Sequence, residues 1–255
     1  MNYQKKRATI HSVISKHLKG IIQITFPILV LLYFYFVDFS LSLLATSLVF
    51  SFISINFIGA VLHRVFAHKV VRIKSDFIAF IMAYLGTVYF TTSPRDWCGI
   101  HYLHHRYPDT DKDPHLAMRS WLILKHSTID IDPDDLRKMT FFYRDLVTRR
   151  PVAFFSENFL SIMILNFFLF LSFGIDALIY FYFIPVIYAH LGEIISIQNH
   201  YVDGILGGVK TSDEHNGRNG YLLSLLVPFE FNHGDHHDRT MGDDLGNTLM
   251  RKLFS

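Results

Sequence analysis

The chain has 255 residues, 51% of them hydrophobic, and a formal net charge of only +2 at neutral pH. This small charge, and the lack of a lysine- or arginine-rich block interleaved with aromatic residues, argue against a nucleic-acid-binding protein. The single cysteine excludes an intramolecular disulfide and an iron–sulfur cluster, which needs several thiolates. Any electrons that the protein uses must therefore come from a separate carrier.

The first 62 residues predict a membrane hairpin. After a basic stretch at 1–19, a charge-free run over 20–37 would span roughly 27 Å as a helix, close to the hydrocarbon thickness of a bilayer. The run lacks a clear signal-peptide cleavage site, so we interpret it as an uncleaved first span. Asp38 interrupts the apolar pattern before a second predicted span over 39–62.

A third apolar run, at 77–93, has histidines on both sides of it in the sequence. If this run crossed the membrane, those histidines would lie on opposite faces and could not share metal ions. We therefore expect a buried, interfacial or re-entrant helix at 77–93. The alternative is a site near the bilayer midplane, which the basic flanks Arg72 and Arg95 disfavour.

The polar segment 95–157, punctuated by Asp-Pro pairs, predicts a soluble cap of short helices and loops. Two more spans are predicted at 159–175 and 177–197, joined at Asp176. The tail from His200 is rich in glycine and is expected to be loop-rich.

The distribution of positive charge predicts the orientation. Neither hairpin connection, at Asp38 or at Asp176, has a basic residue nearby, so all 24 lysines and arginines fall on one side. Because cytoplasmic flanks collect Lys and Arg, that side is predicted to be the cytoplasm. The predicted fold is an all-α, multi-pass integral membrane protein, a single domain over 1–255. It has four transmembrane helices in two hairpins and a helical cytosolic cap (63–157 and 198–255) that carries both termini and the metal site.

Eight of the fifteen histidines fall into three compact clusters. Two clusters share the spacing H-x-x-H-H, and the other reads H-x-x-x-x-H. Residues three and four apart lie on one face of a helix, and neutral imidazole is the commonest metal ligand. We therefore predict one metal site assembled from three places. The clusters are His63 and His68; His101, His104 and His105; and His233, His236 and His237.

Two further histidines lie in or directly after the fourth predicted span. His200 directly follows the fourth predicted span and is the ninth candidate ligand, whereas His190 lies about two turns deeper. The isolated histidines are interpreted as ordinary satisfied residues: His11, His17, His126 and His215. His63 and His68 are five residues apart and do not share a face of an ideal α-helix, so the second span is predicted to end or bend there.

Nine imidazoles exceed the four ligands of a structural zinc site and would supply two adjacent ions with four or five ligands each. Imidazole suits iron, zinc, copper and nickel, so ligand type alone does not select the metal. A metal pair at the mouth of an apolar bundle is well placed to meet the middle of a long aliphatic chain. Oxidising an unactivated C–H bond requires an oxidant made from O₂, which favours two iron ions, although zinc can replace iron during overexpression.

These motifs resemble those of the membrane fatty acid desaturases, specifically the stearoyl-CoA desaturase type. The resemblance rests on His63-Arg64 through His68, both H-x-x-H-H strings and the sequence Asp113-Pro114-His115, and it covers residues 20 to 240 in order and spacing. It implies a mushroom-shaped helical fold and O₂-dependent insertion of a cis double bond into a long acyl chain. It also implies a di-iron centre with nine ligands: His63, His68, His101, His104, His105, His200, His233, His236 and His237.

The chain departs from that family's pattern at three places. Ser196 stands where the family has a ligand-assisting Asn, and the third cluster has Gly234 where Asn is common. Gly99-Ile100 replace an Arg-Asp pair that meets the coenzyme A headgroup, which leaves acyl-lipid or acyl carrier protein substrates open beside acyl-CoA. No catalytic acid or base is required beyond the metal ligands. Residues predicted to lie beside the metals or to line the substrate cavity are Ser196, Glu193, His190 and Trp97.

The sequence has no cytochrome b5-like domain, so the expected electron donor is external, a ferredoxin or a cytochrome of the b5 type. The expected partners are this donor, membrane lipid and the acyl substrate. Two other functions remain open at this point. A di-iron membrane hydroxylase or related acyl-modifying oxygenase would use the same ligands, and a non-enzymatic membrane protein could bind or transport metal.

Overall fold

A computed structural model describes much of the chain, and its helices dominate. The described residues are 20–37, 39–115, 133–142, 144, 148–201, 208–220, 222–239, 242 and 245–254. Predictions that concern the basic residues 1–19, Asp38 and His126 fall outside these ranges. The helices are α1 (Gly20–Phe36), α2 (Leu41–Ala67), α3 (Asp76–Phe90), α4 (Pro94–Arg106), α5 (Pro133–Phe142), α6 (Arg150–Glu157), α7 (Phe159–Ser172), α8 (Ile175–Gln198), α9 (His233–Asp238) and α10 (Leu245–Phe254).

Among the described residues, two helices are long and apolar enough to cross a membrane, α2 with 27 residues and α8 with 24. The count rises to four if each of two bent pairs is one span: α3 with α4, bent by 76°, and α6 with α7, bent by 79°. The apolar helix α1 is shorter. The predicted set of exactly four spans therefore stays a prediction.

The outer surfaces of the apolar helices carry large aliphatic side chains. Leu31, Ile53 and Leu165 are 67%, 64% and 66% exposed, whereas Tyr180 and Val186 of α8 are fully buried. An apolar surface of this extent is unfavourable in water and is expected where a helix faces lipid. Helix α8 thus lies inside the bundle, with α1, α2 and α7 facing outward.

Helices α1 and α2 are tied to α8 near the two predicted hairpin connections. The hydroxyl of Tyr33 donates to the carboxylate of Asp176, and the backbone N–H of Ser40 donates to the hydroxyl of Tyr180 over 3.0 Å. Ser47 donates to the carbonyl oxygen of Tyr180. The ends of the two hairpins therefore lie side by side.

The C-terminal part of α2 explains the five-residue spacing of its histidines. The sequence predicted that the second span ends or bends at His63, and in the structure the helix continues there as a π-helical segment, Val61–Ala67. In a π-helix the backbone hydrogen bonds join residues five apart, and the N–H of His68 donates to the carbonyl of His63 over 3.0 Å. This winding brings the two imidazole rings to 5.0 Å, centroid to centroid.

A sharp turn separates α3 from α4 and redirects the chain toward the second histidine cluster. Helix α3 ends where Thr91 adopts a left-handed conformation with φ +47°. Ser93 then caps α4 by accepting from the N–H of Asp96 over 3.0 Å, and Pro94 starts the helix. The helix predicted at 77–93 is thus observed at Asp76–Phe90, and its position relative to the bilayer remains a prediction.

The all-α assignment needs one correction. Two short antiparallel strands, β1 (Val209–Lys210) and β2 (Arg218–Asn219), pair in the glycine-rich tail that was expected to be loop-rich. Gly208 and Gly220, both with positive φ, allow the backbone to turn beside the strands. The ribbon contacts α9 through Asn219, whose side-chain oxygen accepts from the N–H of Asp235 over 3.1 Å.

Candidate metal centre

Three separate elements bring the histidine clusters together in two groups. The π-helical end of α2, the C-terminal half of α4 and helix α9 supply most of the side chains, and His200 follows α8. Within each group, one nitrogen of every histidine lies within 4.8 Å of the others. The five-histidine group contains His63, His68, His101, His105 and His236. The four-histidine group contains His104, His200, His233 and His237.

The two groups are adjacent. The ring of His105, in the first group, stacks on the ring of His237, in the second, with centroids 4.1 Å apart and planes 16° from parallel. All nine histidines proposed as ligands from the sequence belong to these groups, and among the described residues no other histidine joins them. His215, interpreted as an ordinary residue, instead bonds to Asp238 over 3.0 Å.

In the four-histidine group, carboxylates fix the protons of three imidazoles. His104 donates from Nδ1 to Asp113 over 3.0 Å, and His200 donates from Nδ1 to Asp109 over 3.1 Å. His233 donates from Nδ1 to Glu230 over 2.6 Å. Because a neutral imidazole carries one proton, the Nε2 atom of each ring is left with a free lone pair.

These lone pairs converge on one point. The Nε2 atom of His200 lies 2.9 Å from that of His233 and 3.1 Å from that of His237, and His104 Nε2 lies 3.1 Å from His237 Nε2. Unprotonated nitrogens repel one another at this distance unless a cation lies among them. Ligands about 2.1 Å from a shared ion lie roughly 3.3 Å apart, which this arrangement approaches.

Ring nitrogens of the five-histidine group also lie close enough together to share one metal ion. Nε2 of His68 lies 2.8 Å from Nε2 of His101 and 2.9 Å from Nε2 of His236. Nε2 of His105 is buried and has no hydrogen-bond partner among the described residues. A buried ring nitrogen without a partner is unfavourable, and coordination to a metal would satisfy it.

Glu230 links the two groups. One carboxylate oxygen accepts from Nδ1 of His63 over 2.7 Å, and the other accepts from Nδ1 of His233. Burial raises the pKa of the Glu230 carboxyl, but the electrostatic interaction with His63 and the hydrogen bonds from both imidazoles outweigh this effect and leave the pKa well below its usual value. Glu230 is therefore an ionised bridge that orients one histidine of each group.

The loop after α4 supplies the other two carboxylates. Burial alone would raise the pKa of Asp109. The hydrogen bonds from His200 and from the N–H of Asn216 outweigh burial and lower this pKa to about 2. Burial dominates at Asp113 and raises its pKa, although its oxygens also accept from the backbone N–H groups of Asp109 and His115. Asp109 holds a left-handed backbone with φ +61°, which turns the loop toward His200.

Burial also sets the protonation of the ligands on α9. It lowers the pKa of His233 to about 4, although the hydrogen bond to Glu230 acts in the opposite direction. Burial first, and neighbouring positive charge second, lower the pKa of His236 and His237 as well. These imidazoles are neutral near pH 7, which is the form that binds a metal.

The four residues predicted beside the metals or in the cavity have distinct surroundings. Trp97 stacks on His101, with centroids 5.1 Å apart, and donates from its indole nitrogen to Glu193 over 3.1 Å. His190 is buried and hydrogen bonds Thr91 over 2.7 Å. The hydroxyl of Ser196 donates to the Gly192 carbonyl of its own helix over 3.0 Å. Of the four, Trp97 contacts a proposed ligand directly.

The sequence reasoning did not identify the hydrogen-bond partners of the imidazoles. Glu230 lies three residues before the first histidine of the third cluster, and Asp109 follows the second cluster by four residues. The sequence signal for such a partner is an acidic residue within a few positions of a histidine cluster. Arg64 enters the sequence analysis only as part of the first motif, yet it is fully buried and contacts Nδ1 of His236.

Gly234 explains the departure of the third cluster from the family pattern. A Cβ atom at this position would lie 2.8 Å from the carbonyl oxygen of Gly217 and 2.5 Å from Oγ1 of Thr211. Helix α9 therefore packs against the ribbon through a backbone contact that leaves no room for a larger side chain.

Replacing Gly234 with alanine is expected to displace α9 and its three histidines, because backbone atoms of Gly217 cannot move aside freely. A misplaced ligand loses coordination, so purified Gly234→Ala protein should retain less than one ion per chain in elemental analysis. Asp235→Ala, at the exposed neighbouring position, should retain the wild-type content. Equal metal content in both variants would contradict this packing argument.

With the geometry established, comparison with known proteins identifies the family. The family model for fatty acid desaturases matches residues 38–241, well over half of the chain. The chain belongs to the fatty acid desaturase family. The predicted membership is thereby confirmed, and the assignment to the stearoyl-CoA type stays a prediction. Family membership and the apolar helices together support an integral membrane protein.

Curated relatives of this desaturase-family chain match parts of it. A probable acyl-CoA desaturase of Schizosaccharomyces pombe is 26% identical over 187 residues, covering 69% of the chain and 37% of the relative. An acyl-CoA Delta(11) desaturase of Spodoptera littoralis is 33% identical over 87 residues, covering 29% and 25%. The Delta(9)-fatty-acid desaturase fat-5 of Caenorhabditis elegans is 29% identical over 110 residues, covering 40% and 31%. The chain thus matches between a quarter and just over a third of each relative's length.

Proposed function

We propose that this protein is an O₂-dependent di-iron fatty acid desaturase that introduces a cis double bond into a long acyl chain. The observation that carries the proposal is the convergence of nine imidazoles into two adjacent groups, each suited to one ion. Family membership and the names of the relatives give the reaction type.

The nine grouped histidines are the proposed iron ligands. When bound, a pair of iron ions would supply the O₂-dependent oxidation of an unactivated C–H bond, which no side chain can perform alone. The overall reaction removes two hydrogen atoms, with two electrons, from neighbouring methylenes. Two further electrons and two protons come from an external donor and solvent, and O₂ is reduced to two water molecules.

The protein's own residues hold and orient these ligands. Asp109, Asp113 and Glu230 keep the imidazole protons on Nδ1, so that Nε2 faces the metal position. Trp97, packed on His101 and bonded to Glu193, is proposed to form part of the wall along which the acyl chain lies. A narrow apolar passage would then select the reacting carbons by proximity.

Acyl-CoA is the proposed substrate, because the S. pombe and S. littoralis relatives are named for it. The absence of the Arg-Asp pair at Gly99-Ile100 keeps acyl-lipid and acyl carrier protein thioesters as outcomes of the test. A ferredoxin or a cytochrome of the b5 type is proposed as the donor. The metal site and both termini are proposed to face the cytoplasm.

Expression of the full chain in a desaturase-deficient host, followed by fatty acid profiling, tests this function. A new cis-unsaturated fatty acid is expected, and the position of its double bond would define the regiochemistry. A mass gain of one oxygen with no alkene would replace desaturation by hydroxylation. Unchanged lipids in a host that accumulates metal only with the intact chain would favour a metal-binding protein instead.

A further inference from the structure

The two histidine groups differ in the charges that surround them. Asp113 and Asp109 each contact an imidazole of the four-histidine group, through His104 and His200. Glu230 is shared, with one oxygen toward each group. Among the described residues, the four-histidine group therefore has three carboxylate-bonded imidazoles, and the five-histidine group has one, His63.

The five-histidine group has a cation where the other group has carboxylates. Arg64 is fully buried, contacts Nδ1 of His236 and donates to the carbonyl of Phe229 over 2.8 Å. A guanidinium has no acceptor atom and always carries a positive charge. Placed against a ligand, it opposes a metal cation instead of supporting it.

We infer that the two metal positions are unequal, and that the four-histidine group binds a divalent cation more tightly than the five-histidine group. The inference rests on the proposed function only in taking both groups as metal sites. It concerns their relative affinity and not the reaction.

Two effects compete in this comparison. The five-histidine group has one more imidazole, which favours its ion. Each carboxylate bonded to a ligand imidazole raises ligand basicity and fixes orientation, and losing one such partner typically lowers metal affinity by about 10- to 100-fold. The two additional carboxylates, at about 10- to 100-fold each, outweigh a single extra neutral ligand.

The test is equilibrium metal binding to the full-length, detergent-solubilised chain after its metal has been removed. The protein is dialysed against Co²⁺ buffered by a chelator over a range of free concentrations, and bound cobalt per chain is measured. Wild-type protein should bind two ions in two steps separated by at least roughly 10-fold in free Co²⁺. Binding of both ions in a single step would overturn the inference.

Variants identify which group gives the tighter step. Asp113→Asn and Asp109→Asn should each weaken the tighter step by about 10- to 100-fold and leave the weaker step in place. Asp111→Asn removes the same charge from an exposed position of the same loop and should change neither step. If the Asp113 and Asp109 variants weakened only the weaker step, the order of affinities would be reversed and the inference wrong.

Two independent variants guard against failure of one to fold, and circular dichroism checks the helix content of each. The cobalt-binding result can be distinguished from the result of the fatty acid profiling that tests the proposed function. Two unequal steps in a protein that forms no unsaturated fatty acid would remove the proposed function and leave the inference intact. Desaturase activity in a protein whose two sites bind Co²⁺ equally would support the proposed function and overturn the inference.

Discussion

Replacing Glu230 with glutamine is expected to weaken metal binding at both positions at once. A carboxylate accepts from His63 and His233 together, whereas an amide has one accepting and one donating end. One of the two imidazoles must then move its proton to Nε2, the atom that faces the metal. We expect a loss of about 10- to 100-fold in affinity, with a similar fall in desaturated product. Elemental analysis after dialysis and fatty acid profiling of expressing cells measure the two effects.

The matched control is Glu214→Gln, which removes an equal charge from an exposed position nearby in the sequence. This variant should keep the metal content and the product yield of the wild type. A Glu230→Gln protein that held its full metal complement through dialysis would show that the bridging carboxylate is dispensable for binding.

The second large effect is expected for His104→Ala, which removes a proposed ligand from the four-histidine group. Three imidazoles would remain there, and the carboxylate of Asp113 would lose its imidazole partner. The loss should exceed the roughly 100-fold that follows removal of an outer partner, so product should become undetectable. About one ion per chain should be lost, while the five-histidine group keeps its own.

His115→Ala provides the comparison for that variant. The ring of His115 lies 4.5 Å from that of His104, centroid to centroid, but belongs to neither group. Its replacement should leave the metal content unchanged. If His115→Ala lost as much metal per chain as His104→Ala, the proposed assignment of ligands would be wrong.

The spacing of the histidines was enough to nominate the residues that meet in the structure. His101, His104 and His105 lie at helical separations, and the repeat of that spacing at His233 marked the partner segment. Their division into groups of five and four could not be read from the sequence, because adjacent residues of one cluster enter different groups. His104 belongs to the four-histidine group and His105 to the five-histidine group, and this division depends on how the other helices pack against α4.

The π-helical segment was missed for a related reason. The expectation that the second span ends or bends near His63 assumed the α-helical period, in which residues five apart diverge. The chain instead adopts the wider winding over Val61–Ala67, so the spacing that seemed to break the pattern is the one that a π-helix aligns.

The carboxylate partners were beyond sequence reasoning because nearby acids look alike. Asp109, Asp111 and Asp113 alternate in one short loop, and only the fold shows that two of them are turned to imidazoles while Asp111 is exposed. The short ribbon could not be predicted from the sequence either, because its strands have only two residues each.

The central claim is that these histidines hold two neighbouring metal ions. The most direct test is a crystal structure of the full chain purified from an iron-replete host, with anomalous scattering recorded on both sides of the iron absorption edge. We predict two adjacent anomalous peaks, one within each histidine group. Absence of any peak at either group, or a single ion shared by both, would contradict the account.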